Sequence, residues 1–231
     1  MKNIAIITAR GGSKRIPRKN IKEFCGRPII SYSIEAAKKS EIFDKVMVST
    51  DDAEIAEISI KYGAEVPFFR SAETSNDYAV TADVIREVLL NYENMKMEFD
   101  YFCCLYPTAP FITAERLKEA MNKLISSKAE SLLPVVRFSF PPQRGIVVHE
   151  GKATMKWPEY LNTRSQDLEP FYHDCGQFYA MKSEVFLKEQ KLITKNTIPF
   201  IVPEIEVQDI DTPDDWVLAE LKFKYLNKFD K

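Results

Sequence analysis

Near the amino end stands Ile4-Ala-Ile-Ile-Thr-Ala-Arg-Gly-Gly-Ser-Lys-Arg-Ile-Pro-Arg-Lys-Asn20, a buried-strand pattern that leads directly into a glycine turn. Six lysines and arginines lie between positions 10 and 22, and no acidic residue in this stretch precedes Glu23. Gly11 and Gly12 leave their backbone N–H groups open to an anion because neither carries a Cβ. In α/β sheets, ligands bind beyond the carboxyl ends of the strands. We therefore predict that this loop binds a polyphosphate, most readily a nucleoside triphosphate.

Short apolar runs alternate with helical patterns over most of the chain. Nearly continuous runs at 4–7 and 46–48 are typical of strands that are covered on both faces, whereas apolar residues at 117–125 repeat with the period of a helix. Repeated strand–helix–strand units predict an α/β fold with a doubly wound, mostly parallel sheet and right-handed crossovers. The predicted strands cover residues 2–9, 45–50, 65–69, 101–105, 131–136, 177–181 and 199–202.

Capping residues predict where the helices begin. Pro28 suits the first position of a helix, because its missing N–H needs no partner there. Asp51-Asp52 can cap a helix at 53–62, and capping explains this pair better than a ligand site does. Thr212-Pro213 starts the last helix, in which apolar residues repeat at core spacing from Trp216.

The alternating pattern stops after Val136. Pro141-Pro142 interrupts it, Glu150-Gly151 is typical of a hairpin turn, and residues 138–174 hold several prolines and no strong helix. We predict one domain over residues 1–231, from which about 138–174 depart as an inserted element. Such an element suits covering a site as a lid or pairing with another subunit.

The composition is that of an ordinary globular protein, with 45% hydrophobic and 29% charged residues. The formal net charge is −2, so a local basic loop favours a small anionic ligand over nucleic acid. No run approaches the ~18 apolar residues of a membrane span, and the first residues lack the features of a signal peptide. Four cysteines without a CxxC pair and only two histidines give poor support for a zinc site. We expect a cytoplasmic protein with reduced cysteines.

The loop at 10–20 lacks two familiar phosphate-binding motifs. No Gly-Lys-Ser/Thr ends it, so it is not a P-loop, and the absence of GxGxxG removes the main support for a dehydrogenase. A solvated basic turn is the alternative, but glycines and cations that converge at a strand's carboxyl end favour a phosphate site. Arg70, after the strand predicted at 65–69, is either a nucleobase or phosphate contact or a solvent-facing side chain.

Asp209-Ile-Asp211 is the second informative motif. In an extended segment, alternation puts both carboxylates on one side and Ile210 on the other. Two carboxylates that face triphosphate oxygens suit Mg²⁺, which prefers oxygen ligands and often shares its shell with phosphate. Alternatively, Asp211 or Thr212 caps the final helix. A cap leaves Asp209 unexplained.

Together these motifs resemble the acylneuraminate cytidylyltransferase family, the CMP-sialic acid synthetases, over nearly the whole chain. The resemblance implies a Rossmann-like nucleotidyltransferase sheet whose inserted element serves dimerisation. The first and last motifs, in this order and at this separation, are the most specific. The markers are residues 9–14 with Lys19-Asn20, Ser49-Thr50-Asp51, Arg70 with Ala72-Glu73, Pro107-Thr108-Ala-Pro110, Gly176-Gln-Phe-Tyr179 and Asp209-Ile-Asp211-Thr212.

The resemblance also implies a role for each matching residue. Arg10, Lys19 and Asp211 correspond to catalytic positions, and Asp209 and Asp211 to the carboxylates that hold Mg²⁺. The nucleotide-binding positions are Arg10, Gly11, Gly12, Ser13, Lys14, Lys19, Asn20, Arg70, Asp77 and Thr81, of which Arg70 and residues 77–81 match the part that recognises cytosine. The sugar-binding positions are Tyr106, Thr108, Arg164, His173, Asp174 and Tyr179.

The chain departs from the sialic acid enzymes where the sugar would lie. Tyr106 stands where they usually carry Gln, and His173-Asp174-Cys175-Gly176 replaces their Arg-Pro-Asn-Gly. In this region the chain is more similar to the pseudaminic acid cytidylyltransferases. The implied reaction joins CTP and a nine-carbon nonulosonic acid, most readily pseudaminic acid, to give the CMP-sugar and pyrophosphate in a homodimer without nucleic-acid or membrane partners. The alternatives are sialic, legionaminic or Kdo-like acids as substrates, or a non-catalytic nucleotide-binding regulator.

Overall fold

A computed structural model of the protein describes residues 1–228, which build a seven-stranded sheet with helices on both faces. Within these residues, no helix is both long and apolar enough to cross a membrane. The strands are β1 (Asn3–Thr8), β2 (Glu23–Phe24), β3 (Arg27–Pro28), β4 (Lys45–Ser49), β5 (Tyr101–Leu105), β6 (Ser131–Arg137), β7 (Ile146–His149), β8 (Lys152–Met155), β9 (Tyr172–Asp174), β10 (Phe178–Lys182) and β11 (Thr197–Ile201). The helices are α1 (Ile30–Lys39), α2 (Ala53–Lys61), α3 (Ala72–Ser75), α4 (Thr81–Asn94), α5 (Ala114–Ser126), α6 (Ser183–Glu189) and α7 (Pro213–Leu226).

The sheet has the strand order β11-β6-β10-β5-β1-β4, and β9 also pairs with β6. Strands β4, β1 and β5 are parallel neighbours, with Ile6 opposite both Met47 and Cys104. Strand β10 runs antiparallel to β5 and β6, and β11 runs parallel to β6. The predicted doubly wound, mostly parallel sheet is therefore confirmed, and the carboxyl ends of β1, β4 and β5 meet at one edge.

Both faces of the sheet are buried. Ala5 and Ile7 pack on one face with helices α1 and α5, whereas Ile4 and Ile6 pack on the other with α4. All four side chains are fully inaccessible to solvent. This two-sided burial explains why β1 reads as a continuous apolar run rather than as an alternating one.

A third apolar cluster lies outside the sheet and is rich in aromatic rings. Phe24 contacts Trp216 of α7 edge to face, with ring centroids 5.6 Å apart, a geometry that contributes about 1 kcal/mol beyond simple burial. Ile16, from the loop after β1, and Ile210, from the segment before α7, are buried in the same cluster. Apolar packing thus holds these two distant segments side by side.

Two sequence predictions are wrong at element boundaries. The strand predicted at 65–69 reduces to a single bridge between Glu65 and Met47, because Pro67 has no N–H with which to continue a ladder. Pro28 ends β3, where it pairs with Glu23, and α1 begins only at Ile30. The short pair β2–β3 and strand β9 were not predicted.

Residues 138–174 leave the sheet, as the sequence predicts, and return to it at β9. Strands β7 and β8 form a hairpin. Its turn residues, Glu150 and Gly151, both have positive φ, at 49° and 75°, as a type I′ turn requires. The remainder of the excursion consists mainly of short 3-10 turns. Most hairpin side chains are exposed, including Ile146 and Val148.

Candidate functional site

The loop at 10–20 follows β1 at the carboxyl edge of the sheet and is closed on itself. The Asn20 side-chain amide donates to the Arg10 carbonyl at 2.8 Å and is buried. Arg18 takes a left-handed backbone conformation, with φ 57°, where the chain turns into a 3-10 helix. Contacts within the chain therefore hold the loop in this shape.

Asp77 forms ion pairs with two cations of this loop, Arg10 and Lys14. Its carboxylate accepts from the Arg10 guanidinium at 2.9 Å and also pairs with the Lys14 ammonium. Hydrogen bonding to Lys14, then to Arg10, lowers the pKa of Asp77. The sequence predicts a nucleotide-binding role for Asp77; in this structure its carboxylate lies on the cations that are predicted to hold phosphate. A phosphate that binds Arg10 and Lys14 would take the place of Asp77.

Asp211 forms ion pairs with two other cations of the loop. Its carboxylate pairs with the Arg15 guanidinium at 2.8 Å and with the Lys19 ammonium at 3.6 Å. Lys19 also donates to the Ile210 carbonyl at 2.7 Å. The early loop and the late Asp209-Ile-Asp211 segment, 196 positions apart at Arg15 and Asp211, are therefore in direct contact.

Asp51 and Asp52 support the base of the loop. Asp51 accepts from the Gly11 N–H at 2.9 Å. Asp52 caps α2 by accepting from the Ile55 N–H at 3.0 Å, which confirms the predicted cap. The hydrogen bond from Arg18 is the main cause that lowers the pKa of Asp52 to about 2.

The two loop glycines have different surroundings. A Cβ at Gly11 would lie 2.8 Å from the Asp52 carboxylate, whereas a Cβ at Gly12 would meet nothing within 4 Å. A side chain at position 11 would therefore displace the Asp52 carboxylate. Open space beside Gly12 is compatible with the predicted approach of a phosphate to its backbone.

Three adjoining cavities run along this edge of the sheet. The glycine cavity, about 590 Å³, lies between the loop and residues 75–78, and the central cavity, about 610 Å³, lies between the loop and residues 106–108. The tyrosine cavity, about 570 Å³, lies beyond Tyr106. The predicted residues that line the central cavity are Arg10, Ser13, Lys14, Lys19, Asn20, Tyr106, Thr108 and Asp211; Gly11, Gly12 and Asp77 line the glycine cavity; and His173, Asp174, Tyr179 and Asp209 line the tyrosine cavity with Tyr106.

The tyrosine cavity contains a pair of hydrogen-bonded polar side chains. The Tyr179 hydroxyl donates to one Asp174 carboxylate oxygen, and the Gly176 N–H donates to the other at 2.8 Å. The rings of Tyr106 and Tyr179 contact edge to face, with centroids 5.7 Å apart. Burial is the main cause that raises the pKa of both tyrosines, so both hydroxyls keep their protons at neutral pH.

Asp209 and Asp211 lie on either side of Ile210, whose side chain is only 1% exposed. Thr212, rather than Asp211, caps α7 by accepting from the Asp215 N–H at 3.3 Å. Asp209 faces the tyrosine cavity and Asp211 the central cavity. Partial desolvation, then the charge of Asp211, raises the pKa of Asp209.

Three predicted residues do not line these cavities. Arg70 is buried beside β4, where its guanidinium donates to the Ser49 carbonyl at 2.7 Å. Burial lowers the pKa of Arg70. Thr81 contacts the Tyr106 hydroxyl at 3.4 Å. Arg164 lies in the excursion, outside all three cavities.

Sequence reasoning missed two cations in the tyrosine cavity, Arg137 and Lys222. Arg137 ends β6, so its place beside a predicted strand end could have identified it. Lys222 lies in α7, and its ammonium donates to the Val207 carbonyl at 2.7 Å. No local pattern distinguishes Lys222, because only the packing of α7 brings it to this edge.

The chain was compared with protein families and with known proteins. Residues 4–201 match the family model described as Cytidylyltransferase. The chain is 42% identical to a pseudaminic acid cytidylyltransferase of Campylobacter jejuni, over 97% of both chains. It is 32% identical to a CMP-N,N'-diacetyllegionaminic acid synthase of Legionella pneumophila, over 99% of this chain and 98% of that one. A solved CMP:2-keto-3-deoxy-manno-octonic acid synthetase in complex with CTP shares the fold, with a TM-score of 0.71, 19% identity and coverage of 99% and 100%.

Proposed function

This chain belongs to the cytidylyltransferase family and is a nucleotidyltransferase, and on that premise we propose that it activates a nonulosonic acid. CTP and the sugar acid give the CMP-sugar and pyrophosphate. We propose pseudaminic acid as the substrate, because the relative at 42% identity is named for it and matches over 97% of both chains. Legionaminic and sialic acids are the alternatives to be tested.

One observation carries the proposal: the cationic loop and the late carboxylates meet at the carboxyl edge of the sheet. The Arg15–Asp211 contact at 2.8 Å joins the two segments, and the central cavity lies between the loop and residues 106–108. This edge is where α/β sheets bind ligands. A polyanion and a second substrate can therefore approach the same point from adjoining cavities.

The chemistry requires positioning and charge neutralisation more than covalent participation by the protein. The C2 hydroxyl of the sugar attacks the α-phosphorus, the bond to the pyrophosphate oxygen breaks, and the hydroxyl proton passes to water. Arg10, Lys14 and Lys19 offset the negative charge of the phosphates. When the nucleotide binds, Arg10 and Lys14 release the Asp77 carboxylate and pair with the phosphates instead.

Mg²⁺ is the cofactor that we propose for this site. Within residues 1–228, no three or more His, Cys, Asp or Glu side chains cluster as metal ligands. Asp209 and Asp211, which line adjoining cavities, would supply two carboxylates, a donor set that suits a Mg²⁺ completed by phosphate and water. Partial burial, then the charge of Asp211, raises the pKa of Asp209, and a bound cation would offset both effects. When bound, Mg²⁺ supplies charge stabilisation to the reacting phosphate.

We propose that the enzyme acts as a homodimer in the cytoplasm. Two observations favour the dimer: the hairpin β7–β8 exposes apolar side chains, and Arg164 lies outside the cavities of its own chain. A second copy that covers the hairpin would explain the first, and an Arg164 supplied to the partner's sugar would explain the second. The four cysteines, all free, favour a reducing compartment.

The decisive experiment is mass spectrometry of the products from CTP, Mg²⁺ and a panel of pseudaminic, legionaminic and N-acetylneuraminic acids. We expect a CMP-sugar and one equivalent of pyrophosphate, formed fastest with pseudaminic acid. Omission of the sugar is the control, and pyrophosphate release without it would contradict the proposed transfer. CTP binding without turnover of any acid would instead favour a nucleotide-binding regulator.

A further inference from the structure

Tyr106 lies at the boundary between the central cavity and the tyrosine cavity. Of the residues that the structure describes, it alone lines both the central and the tyrosine cavity. Its backbone is fixed on both sides: its N–H donates to the Gln177 carbonyl at 2.8 Å, and its carbonyl accepts from the Ser33 hydroxyl at 2.8 Å. Its hydroxyl contacts Thr81 at 3.4 Å. Tyr106 is therefore a rigid partition between the two cavities.

This partition supports a chain of polar contacts that ends at Asp174. Tyr106 packs against Tyr179, and the Tyr179 hydroxyl donates a hydrogen bond to one Asp174 oxygen. The second Asp174 oxygen accepts from the Gly176 N–H at 2.8 Å, in a turn where Gly176 has a φ of 62°. With both oxygens engaged, the carboxylate has a fixed orientation. Its unused lone pairs can accept only from an N–H or O–H donor.

The tyrosine cavity combines apolar side chains with polar ones such as Ser139, Glu204 and Gln208. Val136, Phe138 and Val207 line the same cavity, and the Phe138 ring lies 4.7 Å from the His173 ring between centroids. A hydrogen-bond acceptor beside an apolar wall matches an acylamino group, which presents an N–H next to a methyl group. A hydroxyl in the same place would use the acceptor and leave the wall uncovered. The cations Arg137 and Lys222 remain for the substrate carboxylate.

We propose that Tyr106 and Tyr179 are positioning residues that hold Asp174 to read an acylamino N–H of the sugar acid. Asp174 thereby determines specificity for N-acylated substrates. This inference rests on the proposed function, because it assigns the sugar to the tyrosine cavity. It predicts that changes in the chain of contacts weaken sugar binding while CTP binding is retained.

The test measures kcat and KM for an N-acylated nonulosonic acid and for analogues in which each acylamino group in turn is replaced by hydroxyl. For the acylated acid, we expect Asp174→Asn to raise KM by ~10- to 100-fold and Tyr179→Phe by ~10-fold, because a group built to pair with a donor discriminates strongly. Tyr106→Phe should raise it by a few-fold. KM for CTP should stay within ~2-fold of wild type. The preference for acylated over hydroxyl substrate should fall toward one in Asp174→Asn.

Tyr172→Phe is the matched control, because Tyr172 lies in the same strand as Asp174 but does not line the cavity. Thermal unfolding checks that each variant folds. An unchanged preference in Asp174→Asn, or an equal change in Tyr172→Phe, would overturn the inference alone. If wild type turned over no sugar acid, the proposed function would fail and this inference with it.

Discussion

The loop at 10–20 and the excursion at 138–174 both border the groove formed by the three adjoining cavities. They differ in the contacts that stabilise them. Each of five loop cations pairs with a carboxylate of the same chain, and Ile16 is buried in the aromatic cluster. The hairpin of the excursion packs mainly on itself, and Val148 is 72% exposed. The ion pairs and the apolar contact that stabilise the loop are therefore all formed within one chain.

The contrast indicates what each region still requires. A lone two-stranded hairpin is marginally stable in water, and clustered exposed apolar side chains mark an interaction surface. On the proposed function, the loop needs only phosphates in place of its carboxylate partners. The hairpin of the excursion needs a second protein surface that covers its exposed apolar side chains. On this basis, variants in the loop should change catalysis, and variants in the hairpin should change assembly.

The largest expected effect is on turnover, at the junction between the loop and the late carboxylates. Asp211→Ala should reduce kcat at least ~100-fold, because charge stabilisation at the reacting phosphate is lost. Steady-state kinetics with saturating CTP and sugar measures the effect. The fold should persist, since Asp211 is partly exposed and Thr212 caps α7.

Asp214→Ala is the matched control for Asp211→Ala. Asp214 is an exposed carboxylate in the first turn of α7 that lines none of the three cavities. Its removal should leave kcat within ~2-fold of wild type. A near-wild-type rate in Asp211→Ala would eliminate the assigned role of this carboxylate and of the proposed metal.

The next effect is on assembly, at the hairpin. Val148→Asp should raise the dimer dissociation constant at least ~30-fold, because a charge at the centre of an apolar interface costs about 2 kcal/mol or more. Sedimentation velocity over a concentration series measures it. Lys152→Asp, a charge change on the exposed neighbouring strand, is the control and should have a smaller effect. A wild-type protein that stayed monomeric throughout the series would remove the proposed dimer.

The smallest effect is on stability, at the base of the loop. Asp52→Asn keeps an acceptor for capping α2 but removes the charge that pairs with Arg18. Because the folded-state pKa of Asp52 is lowered to about 2, its stabilisation is fully present above the unfolded value of about 3.9 and is lost as pH falls through about 2.

Urea unfolding as a function of pH tests this contribution. At pH 7, Asp52→Asn should lower the free energy of unfolding by about 1 kcal/mol, reduced from the full linkage value because Arg18 is partly exposed. The difference from wild type should shrink toward zero as the pH falls toward 2. Glu57→Gln, on an exposed position of α2, provides the control. A difference that is independent of pH would show that the ion pair contributes nothing.

The sequence predicts those features that depend on local pattern. The alternation in Asp209-Ile-Asp211 correctly places Ile210 in the core, while Asp209 and Asp211 line two adjoining cavities. The continuous apolar run in β1 correctly indicates a strand covered on both faces. The strand predicted at 65–69 is wrong, because one proline outweighs a favourable apolar composition.

The sequence does not predict features that depend on distant contacts. The pairing of Asp77 with Arg10 and Lys14 joins positions more than sixty apart, and no periodicity encodes it. Lys222 reaches the tyrosine cavity only because α7 packs on the aromatic cluster. The antiparallel direction of β10 likewise follows from the sheet as a whole.

The internal pairing of the loop also bears on how a charged nucleotide arrives. Asp77, Asp211 and Asp52 offset part of the charge of the five loop cations, so the long-range attraction of a polyanion is weaker than five unpaired cations would produce. On the proposed function, the phosphate oxygens of the nucleotide compete with these carboxylate oxygens for the same donors. The carboxylates of Asp77 and Asp211 thus pair with the cations before a nucleotide arrives. The nucleotide phosphates must bind these cations more strongly than the carboxylates do.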